Sequence, residues 1–250
     1  MSTNPRGLPL RLLLGLVGVA IAFVILVGLG TWQVQRLAWK EALLATIRER
    51  TAAEPIGIKD ALDRFEDVEY VPVALSGRFE HAYERHVFTT HDGQSGYNVY
   101  TPLVMANGEA VFVNRGFVPY DRKDPATRAE GQVEGIVEVT GLARAGLSEK
   151  PSWIVPDNDP AKNVFHWKDI RTMRETSGLP NDVPVLAVFV DANDAPNPGG
   201  LPLGGVTLID LPNNHLQYAL TWYGLAAVLL VVTAAFLWRR RRLGASGVDG

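Results

Sequence analysis

Two long apolar runs, one near each end of the chain, dominate the distribution of hydrophobic residues. Residues 12–30 and residues 218–238 contain no Asp, Glu, Lys, Arg or His. An α-helix rises 1.5 Å per residue, so about 20 apolar residues cross the roughly 30 Å hydrocarbon core of a bilayer. The pattern therefore predicts two transmembrane helices, one over residues 12–31 and one over residues 213–238 including its outer cap.

The first helix is expected to continue beyond the bilayer. Residues 31–51 contain no Gly or Pro, and Trp32, Arg36 and Trp39 recur at helical spacing on one face. Pro55 and Gly57 are expected to end the helical segment.

Between the apolar runs the pattern is that of short strands. Apolar, β-branched stretches predict strands over residues 68–79, 85–90, 96–105, 109–118, 133–143, 185–190 and 206–210. The sequence Ala-Asn-Gly at residues 106–108 predicts a hairpin, because Asn-Gly readily adopts positive φ. Residues 167–177 predict a helix that Gly178 ends. The predicted fold class is a membrane protein whose two transmembrane helices bracket one external β-rich domain, residues 32–212, of α+β type, mainly antiparallel and closed or barrel-like.

The charges beside the apolar runs predict the orientation of the chain. Arg6 and Arg11 precede the first run, and four arginines, residues 239–242, follow the second. Cytoplasmic flanks are enriched in Lys and Arg, so residues 1–11 and 239–250 are predicted to be cytoplasmic and the domain to lie on the opposite face. Arg36 and Lys40 argue mildly against this orientation, but the four arginines outweigh them.

The basic-then-apolar start of the chain also matches a cleaved signal peptide. The apolar run is nearly twice as long as a normal signal core, and no Ala-x-Ala site follows it. We therefore expect an uncleaved anchor. The span begins early and without a Ser/Arg-rich transit segment, which favours the inner membrane of a bacterium, with the main domain in the periplasm.

Composition excludes several classes of function. The net charge of −3 gives no electrostatic footprint for nucleic acid, and the absence of Cys excludes disulfides, thiol catalysis and Cys-ligated metals. The sequence has no Gly-x-Ser-x-Gly, phosphate-binding loop or His-Glu-x-x-His motif, so we expect no enzyme.

The five histidines differ in where they lie. His81, His86 and His91 recur every five residues, which places neighbours on opposite faces of a strand, so surface or strand-edge roles are expected. His166 is expected to pack between its aromatic neighbours. His215 comes three residues before the second apolar run, where it is either a residue of the membrane interface or an axial ligand to haem.

The face of the second helix that carries His215 favours the ligand role without deciding it. Ala219 and Trp222 follow at i+4 and i+7 and share that face. The small Ala219 is expected to leave room for a planar ring, and Trp222 offers a surface on which the ring can stack.

Several segments together resemble one known family. They are residues 30–36 (Gly-Thr-Trp-Gln-Val-Gln-Arg) with 39–40, residues 77–79, 113–119 (Val-Asn-Arg-Gly-Phe-Val-Pro), 163–169, 191–193, and 213–224 (Asn-Asn-His-Leu-Gln-Tyr-Ala-Leu-Thr-Trp-Tyr-Gly). In these segments the chain resembles the Surf1/Shy1 family of cytochrome c oxidase assembly factors. One departure is Pro212, where relatives often carry a basic residue.

The resemblance implies a role in inserting haem a into the catalytic subunit of the oxidase. It implies that His215 is the axial ligand of the haem iron. We expect Trp222 and Trp32 to pack on the macrocycle and Arg36 to pair with a propionate, although Arg36 is equally well an ordinary interfacial arginine. The expected partners are the oxidase catalytic subunit, other oxidase assembly or haem a synthesis proteins, and the lipid bilayer, with no nucleic acid. The alternative function is a cofactor-free membrane chaperone that stabilises oxidase subunit intermediates through its external domain.

Overall fold

The structure, a computed structural model, describes residues 10–206 and 213–245. The chain divides into two compact units, a helical unit from Met1–Ala45 and Asp210–Gly250 and a β-domain from Thr46–Ile209. The α-helices are α1 (Leu10–Thr51), α2 (Ile58–Arg64), α3 (Ile170–Ser177) and α4 (His215–Ala245). The strands are β1 (Ile56–Gly57), β2 (Pro72–Phe79), β3 (Arg85–His91), β4 (Gln94–Met105), β5 (Ala110–Pro119), β6 (Ile136–Ala145) and β7 (Val185–Ala192).

The two long helices, α1 and α4, are each long and apolar enough to cross a bilayer. Most of their apolar side chains are exposed, which suits side chains that face lipid. The expected continuation of the first helix to residue 51 is confirmed, because α1 ends at Thr51. Where α1 leaves the bilayer stays a prediction.

The β-domain is built on a closed sheet. Strands β2, β6, β7, β5 and β4 pair in that order, and a further pairing of β2 with β4 closes the ring into a five-stranded barrel. Only β5 and β7 run parallel within the barrel, while the other four pairings are antiparallel. Strand β3 extends β4 as a hairpin, and β1 adds to β2 in parallel. The predicted fold class, with its mainly antiparallel and barrel-like domain, is confirmed.

Strand β5 is buried on both of its faces. Val111 and Val113 belong to the barrel interior, whereas Phe112, which points the other way, packs in a second core with Met173 of α3 and Phe189 of β7. Two covered faces explain why this strand is a continuous apolar run rather than an alternating one.

The predicted element ends differ from the observed ones for local reasons. The strand predicted from residue 68 begins at Pro72, because Tyr70 has a φ of 64° and the N–H of Val71 donates to the carbonyl of Val68 in a turn. The helix predicted from residue 167 begins after Asp169, whose carboxylate accepts from the N–H of Thr172 and caps it. Most of the strand predicted at residues 206–210, and also Arg6 and Pro212, lie outside the described residues.

Two short elements were not predicted. The strand β1 and the helix α2 follow Pro55 directly, and Ile58 and Ala61 of α2 are buried in the barrel core. They are too short to show a periodic pattern in the sequence.

Gly116 provides a test of this fold. It has a φ of 124°, and a Cβ there would overlap the carbonyl oxygen of Leu203. We expect Gly116→Ala to lower the free energy of unfolding by about 2–4 kcal/mol through strain and overpacking. Gly108→Ala is the control, because its φ is 82° but the space around it is open, and it should cost only about 1 kcal/mol. Denaturant unfolding of the purified chain measures both, and equal losses would contradict this account.

Candidate functional site

The first residue of α4 is hydrogen-bonded to α1. Nδ1 of His215 lies 2.7 Å from Oε1 of Gln33. A side-chain amide oxygen accepts and does not donate, so Nδ1 carries the proton and donates it. In a neutral imidazole this leaves Nε2 with a free lone pair. Among the residues that the structure describes, none forms a hydrogen bond with Nε2.

A second contact holds the two helices closely together. The hydroxyl groups of Tyr223 and Thr31 lie 3.1 Å apart. A Cβ on Gly30 would lie 2.8 Å from the ring of Tyr223, so only glycine allows the ring to pack there without a shift. Gln33 meets His215 while Gly30 meets Tyr223, eight residues further along α4, so the helices run antiparallel.

One stripe of α4, which begins at His215 and continues past Tyr223, is buried or half-buried. Ala219 is 2% exposed, Ala226 is 3% exposed, and His215 and Trp222 are half-buried. The spacing of these positions, alternately four and three residues, is that of a helix–helix seam. Ala219 lies between the contacts made by His215 and Tyr223, and its side chain is already covered. The expected room for a planar ring beside Ala219 is therefore absent, and that expectation was wrong.

Trp32 and Arg36 lie on another face of α1. Trp32 is 51% exposed, and the guanidinium of Arg36 stacks 4.4 Å above the ring of Trp39. The buried face of α1 carries Gly30 and Gln33 instead. The structure thus places His215 and Trp222 on one stripe of α4, and it shows no hydrogen bond or ring contact from His215 to Trp32 or Arg36 within the described residues.

Sequence reasoning missed three residues of this site: Gly30, Gln33 and Tyr223. Gly30 and Gln33 are three residues apart, so they share a helical face, and Gln33 is an uncharged amide just past the apolar run. A polar side chain at helical spacing from a glycine, where a span ends, was the signal that could have identified Gln33.

The remaining histidines serve the β-domain. His86 lies on the edge strand β3, as the strand-edge alternative predicted, but its side chain is 3% exposed, so it is not a surface residue. Its Nε2 lies 3.1 Å from Oε1 of Glu84, which also pairs with Arg128. Burial alone would raise the pKa of Glu84, but the hydrogen bonds from His86 and Arg128 outweigh it and hold that pKa below its usual value.

Metal binding by the protein alone finds no support in the described ranges. There, no group of three or more His, Cys, Asp or Glu side chains is placed to hold an ion. His81 instead bonds the carbonyl of Val133 through Nε2 at 2.9 Å, and His166 lies beside the ring of Phe88. This aromatic partner is not a sequence neighbour of His166, and the expected packing with Phe165 and Trp167 stays a prediction.

Comparison with known proteins points to one family. The family model described as the SURF1 family matches residues 20–227. Surfeit locus protein 1 of Homo sapiens is 36% identical over 239 residues, which cover 88% of this chain and 75% of the human protein. The SURF1-like protein of Monosiga brevicollis is 39% identical over 234 residues, which cover 88% of this chain and 85% of that protein. The SURF1-like protein of Drosophila melanogaster is 32% identical over 233 residues, which cover 86% of this chain and 73% of that protein.

The hydrogen bond between Gln33 and His215 can be tested by the tautomer of the imidazole. At pH 8, 15N NMR of the histidine-labelled chain should show His215 protonated at Nδ1 and unprotonated at Nε2. Gln33→Leu should remove this preference. Gln35→Leu, an exposed amide on the same helix, should leave it unchanged. An Nε2–H tautomer in the unmodified protein would overturn the assignment.

Proposed function

Because the chain belongs to the SURF1 family, whose members are known as cytochrome c oxidase assembly factors, we propose that it binds haem a through His215 and assists its insertion into the oxidase catalytic subunit. The observation that supports this proposal most directly is the hydrogen bond from Nδ1 of His215 to Gln33, which leaves Nε2 free to bind a metal. Involvement in oxidase assembly and association with the membrane follow from the family and the two long apolar helices. The role of haem a is the proposal.

The donor chemistry of this site fits a haem. A neutral imidazole nitrogen is a common axial ligand of haem iron, and such histidines usually donate their other N–H to an oxygen that fixes the ring. Gln33 provides that oxygen at 2.7 Å. When bound, haem a supplies an iron ion that accepts this nitrogen. The chain contributes a ring that is already oriented and in the required tautomer.

A single histidine suits transfer better than permanent binding. His215 is the one histidine in the sequence of the helical unit, so this unit contributes a single axial imidazole. A cargo that must leave is more easily released from one nitrogen ligand than from two.

The proposed haem contacts of Trp222, Trp32 and Arg36 differ in the observations that support them. Trp222 shares the stripe of His215 and is half-buried, but Ala219 between them is covered, so its packing on the macrocycle is supported by the shared helical face alone. Trp32 is exposed and would need a ligand that reaches around α1. Arg36 stacks on Trp39 through its face, which leaves its edge N–H groups available to a propionate.

The topology and partners of the chain belong to the same proposal. The proposal puts both termini in the cytoplasm, and the four arginines near the end of α4, Arg239 to Arg242, support it. The β-domain would then face the periplasm and dock on the oxidase catalytic subunit or on other assembly or haem a synthesis proteins. The relatives described above are eukaryotic and give no support to a bacterial inner membrane, which stays a prediction.

The test of haem binding uses His215→Ala in a cell that makes haem a. The purified variant should lose nearly all the haem a absorbance of the unmodified chain, and oxidase maturation should fall with it. His91→Ala, a histidine of the β-domain beside Asp92, is the matched control and should keep full haem. Unchanged haem content and unchanged maturation in His215→Ala would contradict the ligand role.

Two further variants separate the supporting residues. Gln33→Leu should weaken haem binding by about 10- to 100-fold, the usual effect of losing a residue that orients a metal-bound histidine. Arg36→Ala should lower haem binding by less than Gln33→Leu does, if Arg36 binds a propionate. Full haem binding by Arg36→Ala would contradict only the propionate role. A colourless protein that still co-purifies with oxidase subunits would instead favour the cofactor-free chaperone.

A further inference from the structure

The β-domain contains a polar cavity that the proposed haem site does not use. Its volume is ≈ 340 Å³, close to the lower end of the range of roughly 300–1,000 Å³ typical of small-molecule sites. We call it the Lys168 cavity. Its polar lining comprises Thr89, Asn98, Tyr100, Asn114, Arg144, His166, Lys168 and Asp191. Phe88, Leu147 and Trp167 supply apolar lining.

Two carboxylates, that of Asp191 in the cavity lining and that of Glu69, which pairs with Arg144, already accept a hydrogen bond at each oxygen. Asp191 accepts from Asn114 through Oδ1 and from Arg144 through Oδ2, both at 2.9 Å. Glu69 accepts from Arg144 at 2.7 Å and from the backbone N–H of Ala145 at 2.8 Å. Each of the four carboxylate oxygens thus already has a donor, and Arg144 is held between both acids.

Lys168 is left without an acceptor. Within the described residues its ammonium forms no hydrogen bond or ion pair, and the contact shown is with the ring of Phe189, 5.8 Å away. Burial, followed by the positive charge of Arg144, lowers the pKa of Lys168 despite the opposing charges of Asp191 and Glu69. A half-buried ammonium with unused N–H groups gains free energy when an anionic acceptor reaches it.

Two neighbouring polar groups are also unused. Oδ1 of Asn98 is buried and has no hydrogen-bond partner among the described residues. The hydroxyl of Tyr100 likewise forms no hydrogen bond with the described chain, and burial raises its pKa well above the usual value, so it stays protonated at neutral pH. Buried polar groups are normally paired, and of these unused groups the ammonium of Lys168 and the hydroxyl of Tyr100 are donors, so the cavity indicates a missing acceptor.

We propose that the Lys168 cavity binds a small organic carboxylate. The carboxylate accepts from the ammonium of Lys168, and the rest of the molecule packs on Phe88, Leu147 and Trp167. A phosphate is disfavoured because the guanidinium that would suit it, that of Arg144, is already paired with two carboxylates. The single unpaired charge of Lys168 matches the single charge of a carboxylate.

The test measures thermal stabilisation of the full chain in detergent by 4-phenylbutyrate and by straight-chain carboxylates of four to ten carbons. A ligand that binds only the folded state raises the unfolding temperature in a saturable way. At least one acid should do so, while 4-phenylbutyramide, which has the same shape and no charge, should not. Lys168→Met should weaken binding at least tenfold. Lys162→Met is the control, because Lys162 is exposed and pairs with Asp159 instead.

A second measurement needs no variant. At pH 8 an amine-reactive succinimidyl ester should label Lys168, and a saturating acid should protect it while leaving Lys162 labelled. A saturable response that survives in Lys168→Met, or no response to any of the acids, would overturn the proposal. Neither readout involves haem, so either result is independent of the role of His215.

Discussion

The close antiparallel contact between α1 and α4 is the constraint on which the candidate site depends. Gly30 admits the ring of Tyr223, and this approach brings Gln33 within 2.7 Å of His215. That single hydrogen bond decides which ring nitrogen carries the proton, and so which one can bind a metal. The site is thus a consequence of helix packing, since the polar pair forms only where side chains of the two helices meet.

In the β-domain, closure of the sheet into a barrel determines which positions are buried. Strand β5 lies between β4 and β7 in the barrel, with its second face under Phe165 and Met173. Burial on two sides leaves polar groups little access to water, so they pair with one another, as Glu84 does with Arg128 and Asp191 with Arg144. Lys168 departs from this rule together with Asn98 and Tyr100 beside the same cavity, which is why the cavity carries the inference of a ligand.

Much of the fold could be predicted from the sequence, because long apolar runs, alternating strands and Asn-Gly turns act locally. The closing pair of β2 with β4 and the parallel pair of β5 with β7 join distant segments, and no local pattern encodes them. The position of His215 above the second apolar run could be predicted from the sequence, whereas its pairing with Gln33, 182 residues away, could not. Ala219 shows the same limit, since a small residue creates space only if no other helix fills it.

The central claim is that His215 presents a free Nε2 to haem a. The most direct measurement is the absorption and electron paramagnetic resonance spectrum of the unmodified chain, purified in detergent from a cell that makes haem a. The account predicts a coloured protein whose haem a iron carries one histidine nitrogen from this chain. A colourless protein that still supports oxidase maturation, or a haem bound through two histidines, would contradict it.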